Sequence, residues 1–139
     1  NIAIIGAKGS VPTTELIFYR DDRGRAPVIE WLRELRRKDK KAYAKCAARI
    51  QVLAQLGHEL RRPMADYLRD GIHELRIRLG HVNYRILYFF HGQAVAILAH
   101  GLTKEDEVPN ADIERAIQRK EAFAKNSAKH SYPEDDQGE

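Results

Sequence analysis

Residues 71–104 read GIHELRIRLGHVNYRILYFFHGQAVAILAHGLTK, and the rest of the predicted fold is arranged around this stretch. Three apolar runs rich in β-branched and aromatic residues are separated by two short gaps that contain Gly80 and Gly92. Runs of this composition, joined by glycine-containing gaps, are typical of strands connected by tight turns. We therefore expect a three-stranded antiparallel meander, with strands at 73–79, 82–90 and 94–102.

Two helices are expected before the meander. Pro27 suits the first position of a helix, because its missing N–H is not needed there. Apolar residues then recur at helical spacing as far as Leu35, and a second helix follows at about 39–56. The basic run 36–41 reads as a solvated corner between the two helices, and Gly57 suits the position after the second. We expect an antiparallel helical pair that covers one face of the sheet.

The remaining segments predict one more strand, one connector and a final helix. Residues 15–20 read as a strand, and residues 58–70 read as a connector because Pro63 prevents the helix from continuing. The final helix begins near Asn110, which is a good N-cap residue. The predicted fold class is therefore α+β, with the order β-α-α-β-β-β followed by a C-terminal helix.

The chain is expected to form one domain at residues 15–126. Residues 1–14 read as a flexible or artificially added appendage, and residues 127–139 as an acidic, disordered tail. No apolar run approaches the roughly 18 residues that a membrane span needs. Cys46 reads as a packing residue of the second helix. Because it is the only cysteine of the sequence, an intrachain disulfide and a multi-cysteine zinc site are excluded. These features fit the cytoplasm.

Positive charge is concentrated in the body of the chain. The whole sequence has 24 Lys and Arg against 20 Asp and Glu, and its last ten residues contain four of those acids and no Lys or Arg. The rest therefore has 24 basic residues against 16 acidic ones. Such a balance favours a polyanionic partner, although solubility alone is the alternative reading.

Basic side chains recur on one face of the first two meander strands. Because alternate residues of a strand share a face, Arg76 and Arg78 lie opposite Leu75 and Ile77. A short hairpin makes the second strand a neighbour of the first, and this brings Arg85 to the same face. One face of the meander can therefore gather three guanidinium groups.

This arrangement predicts an anion site. Guanidinium groups bind phosphate oxygens through two aligned hydrogen bonds. Three arginines, with Lys104 approaching from the sheet edge, would hold an RNA backbone and stabilise the charge that builds on a scissile phosphate. In the alternative reading Glu74 pairs with Arg76 or Arg78, and the exposed arginines contribute little.

Histidines and aromatic residues are further candidates in the same region. His81 lies in the predicted hairpin turn, where it could serve as an acid or base, while a structural role is the alternative. His91 is expected at the opposite end of the sheet and His100 in the interior. No residue spacing predicts a metal site. Four aromatic residues could offer a stacking surface, but core packing is the favoured reading: Tyr84, Tyr88, Phe89 and Phe90.

The chain from about Leu16 to Phe123 resembles bacterial RelE/HigB-type toxins, specifically the phage-derived HigB-like branch. The resemblance rests on the order and spacing of four segments: 18–32, 71–76, 84–90, and 100–104 with the Pro109 helix that follows. It implies a RelE-like fold, in which two N-terminal helices pack on a twisted, mainly antiparallel sheet.

The resemblance also implies a function. Such proteins are toxins of type II toxin–antitoxin systems, and they cleave mRNA, often on the ribosome, without a metal or other cofactor. Attack by the ribose 2′-hydroxyl leaves a cyclic phosphate. The matching residues here are Arg76, Arg85 and Lys104 as catalytic residues, with Arg78 and His81 as substrate-binding residues. The implied partners are a helix-turn-helix antitoxin, mRNA and the ribosome, with operator DNA bound only through the antitoxin.

Two departures from the family pattern favour a second hypothesis. Lys104 is followed by Glu105, Asp106 and Glu107 instead of a second basic residue, and the C-terminal tyrosine that aids catalysis in the family is not evident. Arginine is a poor general base because it stays protonated. The alternative is a catalytically weak or inactive module that binds RNA, the ribosome or a partner within a toxin–antitoxin repressor complex.

Overall fold

Five strands form one sheet in the computed structural model, which describes residues 13–103 and 106–133. The strands lie in the order β1-β5-β4-β3-β2, and every neighbouring pair is antiparallel except β1 and β5. Their bounds are β1 Glu15–Phe18, β2 Ala65–Arg69, β3 Ile72–Leu79, β4 Val82–Phe90 and β5 Val95–Thr103. The helices are α1 Pro27–Lys38, α2 Lys40–Leu56 and α3 Asn110–Lys125. The predicted α+β class, with two helices before the meander and one after it, is confirmed.

The meander forms where the sequence places it. Its three strands begin and end within one residue of the predicted bounds. Gly80 and Gly92 lie in the two connecting turns with φ of +64° and +73°. A residue without Cβ adopts these angles at little cost, so the two glycines allow both reversals of the chain.

The predicted connector at 58–70 is wrong in its second half, where β2 pairs antiparallel with β3. Pro63 prevents the α2 helix from continuing, but it leaves the residues that follow free to extend and pair. The strand is short, lies at the sheet edge and contains Asp66 and Arg69, so it lacks the alternating apolar pattern that marks a central strand. Asp70 and Gly71, with φ of +52° and +83°, form the turn into β3.

A single residue separates the first two helices. The backbone N–H of Asp39 donates to Leu35 O at the end of α1. Its side-chain Oδ1 accepts a hydrogen bond of 3.1 Å from the Ala42 N–H at the start of α2. The expected basic corner at 36–41 is therefore mostly helical. Its first three cations occupy the last turn of α1, where the helix dipole favours positive charge.

The helices cover the two faces of the sheet unequally. Buried side chains on one face pack with α1 and α2, and they include Leu75, Ile77, Tyr84, Ile86 and Tyr88. On the other face, Leu87 and Phe89 of β4 pack with Ala116 and Phe123 of α3. Nearer the β3–β4 hairpin, that second face is left as a groove.

Side-chain hydrogen bonds attach α3 to the sheet. His100 of β5 lies 2.7 Å from Asp112 Oδ1 through Nε2, and Arg119 donates to Ala99 O at 2.6 Å. The predicted start of the helix is confirmed, but Asn110 is not its N-cap. Pro109 occupies that position, and the side-chain oxygen of Asn110 accepts a hydrogen bond from Arg69 of β2 instead.

The chain beyond α3 returns to the first strand. Ser131 forms an isolated bridge with Tyr19, and the buried His130 donates from Nδ1 to Arg20 O at 2.8 Å. The predicted disorder is therefore wrong for residues 127–133. A polar composition predicts disorder because it does not reveal such contacts. The predicted appendage at 1–14 lies outside the described residues up to position 12, as does the end of the predicted tail at 134–139. No helix of the described segments is long and apolar enough to cross a bilayer.

Candidate nucleic-acid interface

A groove of about 720 Å³ opens on the face of the sheet that α3 covers only in part. Its floor is formed by β3 and β4. One wall comes from β2 and the loop before it, and the other from residues 106–113. The elements predicted from the meander therefore supply the floor, and elements distant in sequence supply the walls.

The three arginines predicted from strand periodicity all line this groove. Arg76 and Arg85 are directly paired across β3 and β4, and Arg78 is paired with Asn83. The guanidinium of Arg76 has no hydrogen bond to any residue that the structure describes. The exposed Arg78 donates from Nε to Gly80 O at 3.0 Å. Arg76 and Arg78 are therefore the arginines of the floor that are open to an anionic ligand.

Arg85 is held by a buried carboxylate. Its Nε lies 3.5 Å from Glu74 Oε1, and the two side chains are only 10% and 9% exposed. Glu74 does not form the pair with Arg76 or Arg78 that the alternative reading considered, because it reaches across to β4 rather than along its own strand. Arg85 therefore lines the groove with part of its positive charge already compensated by Glu74.

Glu74 is an unusual carboxylate within this groove. Burial raises its pKa, and the positive charges of Arg85 and Arg76 act against that rise. Its Oε1 has no hydrogen-bond partner among the described residues. Buried oxygens normally have one, whereas Glu74 Oε1 has only the longer ion-pair contact of 3.5 Å with Arg85 Nε.

Paired charges line the walls of the groove. Arg62 lies 2.7 Å from Asp66, and Arg69 lies 2.8 Å from Glu114 of α3. The lining residues include five arginines and four carboxylates, counting Asp106 and Glu107 near the start of α3. The electrostatic field of the groove is therefore mixed. Among the residues that the structure describes, Arg76 and Arg78 are the groove arginines without an ion pair.

A second, smaller depression of about 350 Å³ adjoins the groove and shares its three floor arginines. Lys45 and Arg49 of α2 line it. Lys45 Nζ donates to Arg78 O at 2.8 Å, and Arg49 Nη1 donates to Arg76 O. Sequence reasoning missed both residues. Their spacing of four placed them on one face of α2, but only the packing of that helix on β3 reveals their partners.

The other predicted site residues are Lys104 and His81. Lys104 lies outside the described residues. His81 is exposed in the β3–β4 turn and does not line the groove. His91 lies edge-on to Phe123. His100 is an interior residue, as predicted, and burial lowers its pKa while the hydrogen bond to Asp112 acts in the opposite direction.

Most aromatic residues of the meander are core residues, as predicted. Tyr84, Tyr88 and Phe89 are buried and cannot stack on a nucleobase. The exposed aromatic of the groove wall is Tyr67, which is 55% exposed, and its hydroxyl accepts a 2.9 Å hydrogen bond from the Gly71 N–H.

The described residues contain no group of three or more His, Cys, Asp or Glu side chains suited to a metal ion.

The architecture, with two helices, a five-stranded and mostly antiparallel sheet and a C-terminal helix, is that of a RelE-like α+β protein. The chain belongs to the family described as phage derived protein Gp49-like (DUF891), whose sequence profile matches residues 30–121. This family is of the RelE/HigB-like toxin type. A comparison with curated proteins gave no match.

Proposed function

We propose that this protein is the toxin of a type II toxin–antitoxin system, of the phage-derived HigB-like branch, and that it cleaves mRNA on the ribosome. The observation that carries the proposal is the convergence of Arg76, Arg78 and Arg85 on the floor of one groove. Membership of a family of RelE/HigB-like toxin type supports the same reading.

The proposed reaction is an internal displacement at phosphorus. The ribose 2′-oxygen attacks the adjacent phosphate, the bond to the 5′-oxygen breaks, and a 2′,3′-cyclic phosphate and a 5′-hydroxyl result. Arg76 and Arg78 hold the phosphate oxygens, and Arg85 stabilises the negative charge that increases in the transition state. Lys104 stabilises the leaving oxygen or the phosphate. His81 contacts RNA at the rim, and no step needs a metal or other cofactor.

The proposed partners follow from this activity. A cognate helix-turn-helix antitoxin covers the groove, and acidic side chains of that antitoxin pair with Arg76 and Arg78. Operator DNA is bound only through the antitoxin. Because ribosomes and mRNA are the targets, the site of action is the cytoplasm.

The test is cleavage of a defined message on programmed ribosomes. The protein is first stripped with EDTA, since the ribosomes themselves require Mg²⁺. We expect the Arg76→Ala variant to lose about 100-fold or more in cleavage rate, because it removes a donor to the charge of the transition state. Arg76 is a better target than Arg85, whose removal would leave Glu74 buried without its partner.

Arg33→Ala is the matched control, because Arg33 is exposed on α1 and lies outside the groove. It should cleave like the wild type. Equal losses in the two variants would contradict a site in the groove, and product ends other than a cyclic phosphate and a 5′-hydroxyl would contradict the proposed chemistry.

A specific observation favours a second candidate function. Four carboxylates line the groove, and His81 does not. A groove of mixed charge without a histidine fits a module that binds RNA, the ribosome or a partner protein without cleaving. No cleavage by folded wild-type protein, together with ribosome binding that depends on Arg76, would select this reading.

A further inference from the structure

Cleavage by a 2′-hydroxyl requires a group that removes its proton, and arginine is unsuited to this because it stays protonated. The described carboxylates that line the groove differ in their suitability. Asp66 is bound by Arg62, which lowers the pKa of the Asp66 carboxyl and makes it a weak base. Asp106 and Glu107 are exposed on the wall. Glu74 is the carboxylate of the groove floor itself.

We propose that Glu74 is the general base of this groove and takes the proton of the ribose 2′-hydroxyl. The inference rests on the proposed endoribonuclease function and names the group that this function leaves unassigned. It is carried by the position of Glu74 on the groove floor beside the phosphate-binding arginines, where its Oε1 faces Arg85 but has no hydrogen bond among the described residues.

The position follows from the pairing of β3 and β4. Glu74 and Arg76 are alternate residues of β3, so they share a face and lie roughly 7 Å apart along the strand. Arg85 is paired with Arg76 and lies beside Glu74, with Nε 3.5 Å from Oε1. A phosphate held by Arg76 and stabilised by Arg85 would therefore lie next to the carboxylate, within reach of the ribose that carries the attacking 2′-hydroxyl.

The surroundings of Glu74 make its carboxylate more basic than an exposed glutamate. Burial raises its pKa, Asp66 on β2 adds to the rise, and Arg85, Arg76 and Arg62 oppose it. A bound phosphate competes with Glu74 for those arginines and weakens their opposition. The carboxylate therefore becomes more basic when substrate arrives, which is when a base is needed.

The step balances in atoms and electrons. The O2′–P bond forms as the O2′–H proton passes to Glu74, and the P–O5′ bond breaks with its electron pair on O5′. The leaving O5′ takes a proton from water. Glu74 then returns its proton to solvent, so the carboxylate is regenerated without an oxidant, a reductant or a metal.

The Glu74→Gln variant tests the role, because glutamine keeps the shape and an acceptor oxygen toward Arg85 but cannot take a proton. We expect its cleavage rate on programmed ribosomes to fall on the order of 100-fold or more. The acid limb of the wild-type pH–rate profile should disappear. Binding to ribosomes carrying a message with a 2′-deoxy sugar at the cleavage point should be retained.

Two measurements separate this role from a structural one. Glu34→Gln removes an exposed carboxylate that is paired with Arg37 on α1, and it should leave both rate and pH profile unchanged. Thermal unfolding reports whether Glu74→Gln is folded. If this variant is unfolded, the pH–rate profile of the wild type still tests the proposal. A general-base role for Glu74 requires that profile to contain an ionisation above the ordinary glutamate value of about 4.3.

The outcomes distinguish this inference from the proposed function. Wild-type cleavage with an unchanged rate and pH profile in Glu74→Gln would overturn the base and leave the endoribonuclease standing. Loss of both cleavage and binding in Glu74→Gln would make Glu74 a positioning residue for Arg85 and overturn the base. A wild-type pH–rate profile without an acid limb would also contradict the role of Glu74 as general base. A folded wild type that does not cleave would overturn the proposed function, and the base with it.

Discussion

Gly101 and Trp31 illustrate how one residue without a side chain positions an aromatic ring. A Cβ added at Gly101 of β5 would lie 2.5 Å from Trp31 Cδ2, well inside van der Waals contact. The ring of Trp31 in turn lies at 62° to that of Tyr84, with a centroid separation of 6.4 Å. The absence of a side chain at position 101 therefore allows α1 to approach the sheet.

Gly101→Ala should destabilise the protein by about 1–3 kcal/mol, because the added methyl group overlaps the indole of Trp31. The free energy of unfolding in urea measures this. Adding Trp31→Leu to the alanine variant removes the ring that meets the new methyl group, so the second change should cost less in that background than in the wild type. An unchanged midpoint in Gly101→Ala would contradict the close approach.

At the scale of elements, α2 completes the exposed edge of β3. Beyond the end of β2, no strand within residues 13–103 and 106–133 pairs with β3 at this edge. Arg49 and Lys45 donate to the carbonyl groups of Arg76 and Arg78 there. These bonds satisfy backbone acceptors that would otherwise lack protein partners. They also attach α2 to the strand that carries two of the groove arginines.

Arg49→Met should lower the free energy of unfolding by about 1–2 kcal/mol, because it removes a charged donor from a partly buried backbone carbonyl. Methionine retains much of the side-chain length, so the packing of the helix changes little. Arg33→Met on the exposed face of α1 is the matched control and should stay within about 0.5 kcal/mol of the wild type. Equal losses in the two variants would mean that the bond to Arg76 O contributes nothing measurable.

At the scale of the whole molecule, two partly buried histidines link stability to pH. Burial lowers the pKa of His73 and of His100. The folded protein therefore keeps both rings neutral at a pH where the unfolded chain, with histidine pKa values near 6.5, binds protons. Since the unfolded state then binds more protons, stability should decrease as the pH falls through about 6.5 toward the lowered values. The raised pKa of Glu74 acts in the opposite direction at lower pH.

Urea unfolding between neutral and mildly acid pH tests this linkage. The free energy of unfolding of the wild type should fall with pH, by at most about 1.4 kcal/mol per pH unit for each histidine. His73→Gln and His100→Gln should each flatten that dependence, whatever they do to stability at neutral pH. A slope that is the same in both variants as in the wild type would show that other groups control it.

The meander and its arginine-bearing face were predictable from residues 71–104. Strand alternation and glycine turns act over a few residues, so the order of the chain alone places Arg76, Arg78 and Arg85 on one side. The same local rules predicted α2 and the start of α3. They missed β2, because an edge strand with charged residues is formed by its partner rather than by its own composition.

The character of the groove depends on contacts between distant parts of the chain. Lys45 and Arg78 are 33 residues apart, and Arg49 and Arg76 are 27 apart. The pairing of Glu74 with Arg85 depends on the register of two strands and on burial in the assembled fold, which also raises the pKa of Glu74. Periodicity therefore determined which charged residues share a surface, whereas the folded chain determined which of them are neutralised, buried or open to a ligand. Desolvation and ion pairing arise only once separate elements have packed together.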